Sequence, residues 1–196
     1  MKGNFSDIDS LICMYACFFR YIEAWEEMRK QGVLERFDDI IVACGSGGTA
    51  VGMAVGNYLT GCKVKVHAIL VAPEMESISQ HVKDCFKDLG LKEDDCEEAL
   101  DIVDGYVGRG YDLTEPEDIK DITEVARASG IFLDPVYTGK AFKGLISELK
   151  SNKERFKGNR ILFMHTGGLF LFYDGRFNGE LQNAFSKLYR KCESSK

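Results

Sequence analysis

The sequence predicts an α/β fold, a three-layer sandwich with a mostly parallel sheet between helices. Three observations predict it. Short apolar runs alternate with longer segments of helical periodicity along most of the 196 residues. One run, Ile40 to Cys44, is apolar throughout, as suits a central parallel strand covered on both faces. That run breaks into Gly45-Ser46-Gly47-Gly48 and then starts a helix over Thr49 to Leu59. Glycines let the backbone turn with its N–H groups outward, and the helix start adds unpaired donors and the positive end of its dipole. A phosphate monoester or pyrophosphate is the natural guest of such a loop.

Residues 1 to 10 are polar and read as a loose terminus. Phe18, Tyr21, Ile22, Trp25 and Met28 then fall on one helical face, with acidic and basic residues largely on the other, and Gly32 ends the helix. After the glycine-loop unit, Lys63 to Ala72 alternates and becomes apolar, a second strand that stops at Pro73. Ser77 to Leu89 is amphipathic, and the acidic Lys92 to Glu98 reads as a solvated connection. Leu100 to Val103 is a short strand leading into the glycine-rich stretch Gly105 to Tyr111.

Thr114 as cap, Pro116 in the first turn and three early acidic residues start a helix over Glu115 to Ser129, and Gly130 ends it. Asp134 to Gly139 turns into another helix from Lys140 to Lys150, where Lys140 and Lys143 read as ordinary exposed lysines. Arg160 to His165 is a last buried strand, and it too runs into glycines, Thr166-Gly167-Gly168. Ligands of parallel sheets sit at the carboxyl ends of the strands, so one crevice can gather Gly45, Tyr111, Tyr137 and Thr166.

The composition narrows the function classes. With 45% hydrophobic and 29% charged residues the chain is ordinary globular protein. A net charge of -6 without a basic face argues against a nucleic-acid partner. The seven cysteines are scattered, with no C-x-x-C pair and no zinc spacing, so no metal is expected and the thiols read as reduced, in the cytoplasm. The apolar run Leu11 to Phe19 is too short to span a bilayer, and its acidic flank is wrong for a secretory signal.

Gly45, Gly47 and Ala50 also satisfy the dinucleotide pattern G-x-G-x-x-G/A, which leaves a Rossmann-type dinucleotide site as an alternative. Against it, the nearest acid for a ribose is Glu74, late and behind Pro73. Two further segments decide between the readings: Asp134-Pro135-Val136-Tyr137-Thr138-Gly139-Lys140 and His165-Thr166-Gly167-Gly168. With the first loop, they make the chain resemble, from about Tyr21 to Gly175, the pyridoxal-phosphate enzymes of tryptophan-synthase-β-like fold. The branch it resembles holds D-cysteine desulfhydrase and 1-aminocyclopropane-1-carboxylate deaminase.

The resemblance implies that Cys44, Gly45, Ser46, Gly47, Gly48 and Thr49 form the cofactor's phosphate site, mainly through backbone N–H groups. It implies that Thr166 faces the pyridine nitrogen, where a hydroxyl leaves that nitrogen largely uncharged and suits elimination over transamination. Tyr137 and Tyr111 match the two catalytic tyrosines on the substrate side of the ring. Thr138 and Thr166, standing where cyclopropane-specific members carry glutamate and leucine, imply D-cysteine as substrate, cleaved by α,β-elimination to pyruvate, ammonia and hydrogen sulfide. Leu171 replaces an expected glycine below the ring.

The family also holds its cofactor on a lysine N-terminal to the glycine loop, followed by a Ser-Asn-His type segment, and no matching residues stand here. The only lysines before Gly45 are Lys2 and Lys30. The expectation is therefore an N-terminally truncated family member: residues 1–17 unmatched, residues 18–196 a partial α/β domain, cofactor held non-covalently at best, and a homodimer as the family's habit. Leu11 to Phe19 would cover part of the sheet left open. A non-catalytic phosphate-ligand-binding or interaction protein is the other reading of the same absence.

Overall fold

The computed structural model describes the backbone of residues 19–73 and 75–179, with all their side chains except those of 75–77. The expectations for residues 1–17, for most of Leu11 to Phe19, for Glu74 and for the tail from residue 180 lie outside the described residues. The elements are α1 (residues 19–30), α2 (Val33–Arg36), β1 (Asp39–Cys44), α3 (Gly48–Leu59), β2 (Lys65–Leu70), α4 (Met75–Asp88), α5 (Cys96–Ala99), β3 (Asp101–Val103), α6 (Pro116–Ser129), α7 (Thr138–Ser151) and β4 (Ile161–Phe163).

The four strands form one parallel sheet in the order β3-β2-β1-β4. β1 is central and entirely buried because its side chains alternate between two apolar layers. Ile40, Val42 and Cys44 face α3, α4 and α1, whereas Ile41 and Ala43 face Ala141 and Leu145 of α7. α6 lies outside α7, with Ile122 packed near Leu133 and Phe177. The expected three-layer order is therefore the one observed.

Small residues let α3 sit deep. A methyl group on Gly56 would stand 2.4 Å from Trp25 Cγ, so only glycine admits the indole of α1, whose Nε1 donates to Thr60 Oγ1 at 3.1 Å. Asn57, fully buried, donates from Nδ2 to the carbonyls of Val64 and Ala99 and so ties α3 to the start of β2 and the end of α5.

Three local expectations change. The cap of α6 is Glu115, not Thr114: Glu115 and Asp118 form a reciprocal capping box, and Pro116 takes the first helical position. The acidic stretch after Lys92 is not merely solvated. It forms a 3₁₀ turn (Glu93–Asp95) and α5, whose Cys96 and Ala99 are buried, while Tyr58 donates to Asp95 at 2.7 Å. The last strand is shorter than Arg160 to His165 and only half-buried, because β4 pairs on one side only.

The amino ends of the strands carry a buried polar cluster. His67 sits between two carboxylates, Nε2 at 2.9 Å from Asp39 and Nδ1 at 2.8 Å from Asp101. Arg155 donates to both oxygens of Asp101 and pairs with Glu148 at 2.8 Å, and Asp39 accepts the backbone N–H groups of Lys157 and Gly158. This network holds the 153–158 segment against the end of the sheet away from the glycine loop, leaving the carboxyl ends open.

Candidate functional site

At those carboxyl ends lies a cavity of about 630 Å³. It opens where β1 has β2 on one side and β4 on the other, the switch point at which parallel sheets bind ligands. Cys44, Gly45, Ser46, Gly47, Gly48 and Thr49 line it together with Thr166, Gly167, Gly168, Tyr111 and Tyr137, and the Tyr137 ring lies against Gly45.

The glycine loop is built as a cradle. Gly47 has φ +95°, a left-handed conformation that side chains resist, and a methyl group there would stand 3.0 Å from Ile78 of α4. Val51 is the first residue to donate back into the helix, to Gly47 O at 2.9 Å. By helix geometry the N–H groups of Gly48, Thr49 and Ala50 have no intrahelical partner. The Gly47 N–H turns toward the Cys44 sulfur. Burial pushes the Cys44 thiol up to about 12 despite that N–H, so it stays neutral beneath the loop.

The tyrosines meet. Their rings are 5.9 Å apart at 72°, and their hydroxyls hydrogen-bond to each other. Burial first, then the Tyr111 hydroxyl, raises the Tyr137 phenol above its ordinary value, which keeps it protonated.

One side chain holds Tyr137 in place. Asp134 is completely buried, and its carboxylate accepts the N–H groups of Val136 (2.9 Å), Tyr137 (2.7 Å) and Thr138 (2.8 Å) as well as the Thr138 hydroxyl (2.5 Å). A methyl group on Gly168 would stand 2.6 Å from Asp134 Cγ, so the same carboxylate supports the Thr166 turn. His165 braces that turn: Nδ1 accepts the Gly167 N–H and Nε2 faces the Phe132 carbonyl at 2.7 Å.

Of the residues singled out in the sequence, the six of the loop, both tyrosines and Thr166 therefore share one cavity. Thr138 does not line it; it is fully buried and spends its hydroxyl on Asp134. Leu171 lines the cavity, as do Tyr21 and Asp134, which sequence reasoning had used only as a helix face and a turn. The Asp-Pro-x-Tyr-Thr spacing was the available signal for Asp134, because aspartate before a helix start bonds the N–H groups that follow it. Lys140 differs outright from its expected exposure: it is 4% exposed, and its ammonium donates to the carbonyls of Val107 (2.8 Å) and Gly110 (2.7 Å).

No lysine among the described residues lines the cavity, and Lys30 is exposed near Glu26. Among the described residues no group of His, Cys, Asp and Glu is placed to hold a metal ion, and no helix is long and apolar enough to cross a membrane. The cavity does fit a phosphorylated pyridine. Its glycine end is a cradle that a single Cβ would disturb, and Asp134, the one carboxylate among its described lining residues, is already occupied by four donors and does not confront an anion.

Residues 14–167 match the family described as pyridoxal-phosphate dependent enzyme. The chain is 39% identical over 160 residues to the bifunctional D-cysteine desulfhydrase/1-aminocyclopropane-1-carboxylate deaminase, mitochondrial, of Arabidopsis thaliana, covering 79% of this chain and 39% of that one. It is 38% identical over 163 residues to a putative 1-aminocyclopropane-1-carboxylate deaminase of Thermotoga maritima, covering 81% and 50%. With D-cysteine desulfhydrase of Yersinia enterocolitica the identity is 37% over 139 residues, covering 67% and 40%. A crystal structure of an ACC deaminase homologue superposes with a TM-score of 0.65 at 33% identity, over 77% of this chain and 45% of that one. The chain thus spans half or less of the length of these relatives. On its sequence, its parallel sheet and its cavity, this chain belongs to the pyridoxal-phosphate dependent enzymes of tryptophan-synthase-β-like fold.

Proposed function

We propose that this cavity binds pyridoxal phosphate and serves a D-cysteine desulfhydrase type of reaction, α,β-elimination to pyruvate, ammonia and hydrogen sulfide. The observation that carries the reading is the convergence of the glycine loop, the tyrosine pair and Thr166 on one cavity at the strand ends. When bound, the cofactor supplies the electron sink for charge developing at the substrate's α-carbon. The protein's part is binding, orientation and proton control.

The backbone N–H groups of Gly48, Thr49 and Ala50 at the start of α3, with that of Ser46, would hold the phosphate, whereas the Gly47 N–H is directed to Cys44. Thr166, on the cavity wall, would offer the ring nitrogen a hydroxyl rather than a full charge. Tyr137, protonated and hydrogen-bonded to Tyr111, can hold a proton and pass it along the pair on the substrate side. Thr138 influences the substrate through Asp134, which fixes Tyr137. We assign the protein to the cytoplasm, consistent with the free thiols of Cys44, Cys62, Cys85 and Cys96, and treat 18–196 as one domain able to form a homodimer.

A second reading, favoured by a cavity wall without lysine among the described residues, is non-covalent cofactor binding without turnover. One experiment separates the two. The chain is titrated with pyridoxal phosphate, then given D-cysteine while sulfide is measured, and a parallel sample is reduced with borohydride and mapped by mass spectrometry. Saturable binding with sulfide release is the expected result for the first reading. Binding without sulfide and without a labelled lysine supports the second, and failure to bind the cofactor overturns both.

A further inference from the structure

The segment between β3 and α6 carries Tyr111 into the cavity, yet little burial holds it there. Gly105, Gly108, Gly110 and Asp112 all take positive φ, and Tyr111 and Leu113 are each about half exposed, at 50% and 51%. Such a stretch has many conformations to lose and few apolar contacts to compensate. Its two ends are tied. Tyr106 donates to Glu148 at 2.6 Å, and Arg176 pairs with Asp112 at 2.5 Å and donates to Thr114 at 3.0 Å. Within the middle, 107–110, the exposed Arg109 pairs with Glu115 at 3.3 Å, and a second anchor is buried.

That anchor is Lys140, in the first turn of α7 one turn after Tyr137. Its ammonium is buried and donates to two carbonyls of the loop, Val107 and Gly110. Among the described residues no carboxylate pairs with it; Asp118 and Asp112 act only through their charge at a distance. Burying a cation against neutral carbonyls is costly, and an apolar side chain would fill the same space at less cost. What the ammonium supplies and an apolar group cannot is two directed bonds to a loop with no regular structure.

We propose that Lys140 is a positioning residue whose buried ammonium clasps the 107–110 loop to α7 and so sets Tyr111 against Tyr137. α7 then organises both tyrosines. Asp134 fixes Tyr137 at its start, and Lys140 fixes the partner one turn later. The inference deepens the proposed function, in which the pair works on the substrate side, but the clasp is testable without cofactor or substrate.

The test compares the wild-type chain with Lys140→Met, Lys140→Gln and Tyr111→Phe. Hydrogen exchange is read by mass spectrometry, and fluorine NMR is read on protein labelled with 3-fluorotyrosine. In Lys140→Met, amides of 106–112 are expected to exchange at least about tenfold faster while those of β1 and α3 stay unchanged, as for a local opening. The Tyr137 resonance should move to its position in Tyr111→Phe, a signature that general loss of stability does not produce. Lys140→Gln keeps two N–H donors on a shorter, uncharged side chain and should fall between; it carries the test if the methionine variant fails to fold. Loop exchange within about twofold of wild type in a folded variant, or an unmoved Tyr137 resonance, overturns the proposal. Failure of the cofactor titration leaves these readouts untouched, so the two inferences fail separately.

Discussion

With its carboxylate buried and accepting three backbone N–H groups and a hydroxyl, Asp134 satisfies the start of α7 before any ligand arrives. Hydrogen bonds to a buried charged group contribute about 1.5–3 kcal/mol each, though not additively. Asp134→Ala should therefore cost about 2–4 kcal/mol in urea unfolding, where a surface aspartate would cost almost nothing. The Asn variant should also destabilise, since its amide would turn an N–H₂ toward some of the same donors. At this scale the sequence was informative about groups that face a ligand and poor about groups that support them. The loop, Tyr111, Tyr137 and Thr166 stand in motifs whose spacing is local. Lys140 does not: its burial depends on carbonyls 30 and 33 residues earlier in the chain. A lysine on a helix with polar neighbours looks exposed until that loop is folded over it.

α1 and α3 show how an element is placed by what one residue lacks. Replacing Gly56 by alanine favours the helix intrinsically by about 1 kcal/mol, because glycine loses more backbone freedom on folding. Against that gain, the added methyl would stand 2.4 Å from Trp25 Cγ and 2.8 Å from its Cβ, so the whole helix α1 must move. Overpacking of this kind costs about 1–3 kcal/mol. The clash should win: Gly56→Ala lowers Tm, and emission of Trp25, the chain's one tryptophan, shifts red as the indole loses its burial. Apolar periodicity sufficed to find β1, α3, β2 and α7, since each buries a face that its own residues define. α5 and the half-buried β4 were less legible. The acidic residues of 93–98 mask the two small side chains that pack inward, and burial of an edge strand depends on neighbours that its own pattern does not encode.

Across the whole molecule the two ends of the sheet are specialised, one closed by ion pairs and the other left open as a cavity. Burial works against ionisation of Asp101, but hydrogen bonds and charge from His67 and Arg155 outweigh it and lower its carboxyl below the ordinary value. For Glu148, burial is likewise outweighed by Tyr106, Asn152 and Arg155. Hydrogen bonds from Arg160 hold the half-buried Asp38 at about 2. Carboxyls lowered in the folded state release protons that the unfolded chain would keep, so their stabilisation is complete above roughly pH 4–5 and is lost as pH falls through the lowered values. Melting followed by circular dichroism should give a Tm that is flat with respect to these groups above about pH 5 and falls steadily toward about pH 2. Added salt should weaken the Asp38–Arg160 pair, whose guanidinium is exposed, more than the Asp101–Arg155 pair, whose guanidinium is half-buried. A fall in Tm beginning at neutral pH instead would show that other groups dominate.

The amino-acid sequence alone was enough for the fold class and the glycine cradle, which rest on periodicity and on residues adjacent in the chain, and for naming Tyr111, Tyr137 and Thr166, which rested on the resemblance of their motifs to a family. The tertiary structure decided what those groups do to one another. It turned the Gly47 N–H toward Cys44, committed Thr138 to Asp134, joined the two phenols and buried Lys140 under the loop that carries Tyr111. Except for the local turns at Gly47 and Asp134, these contacts join segments about 26 to 33 residues apart, and hydrogen bonds across such distances form only once the sheet and α7 have brought the segments together.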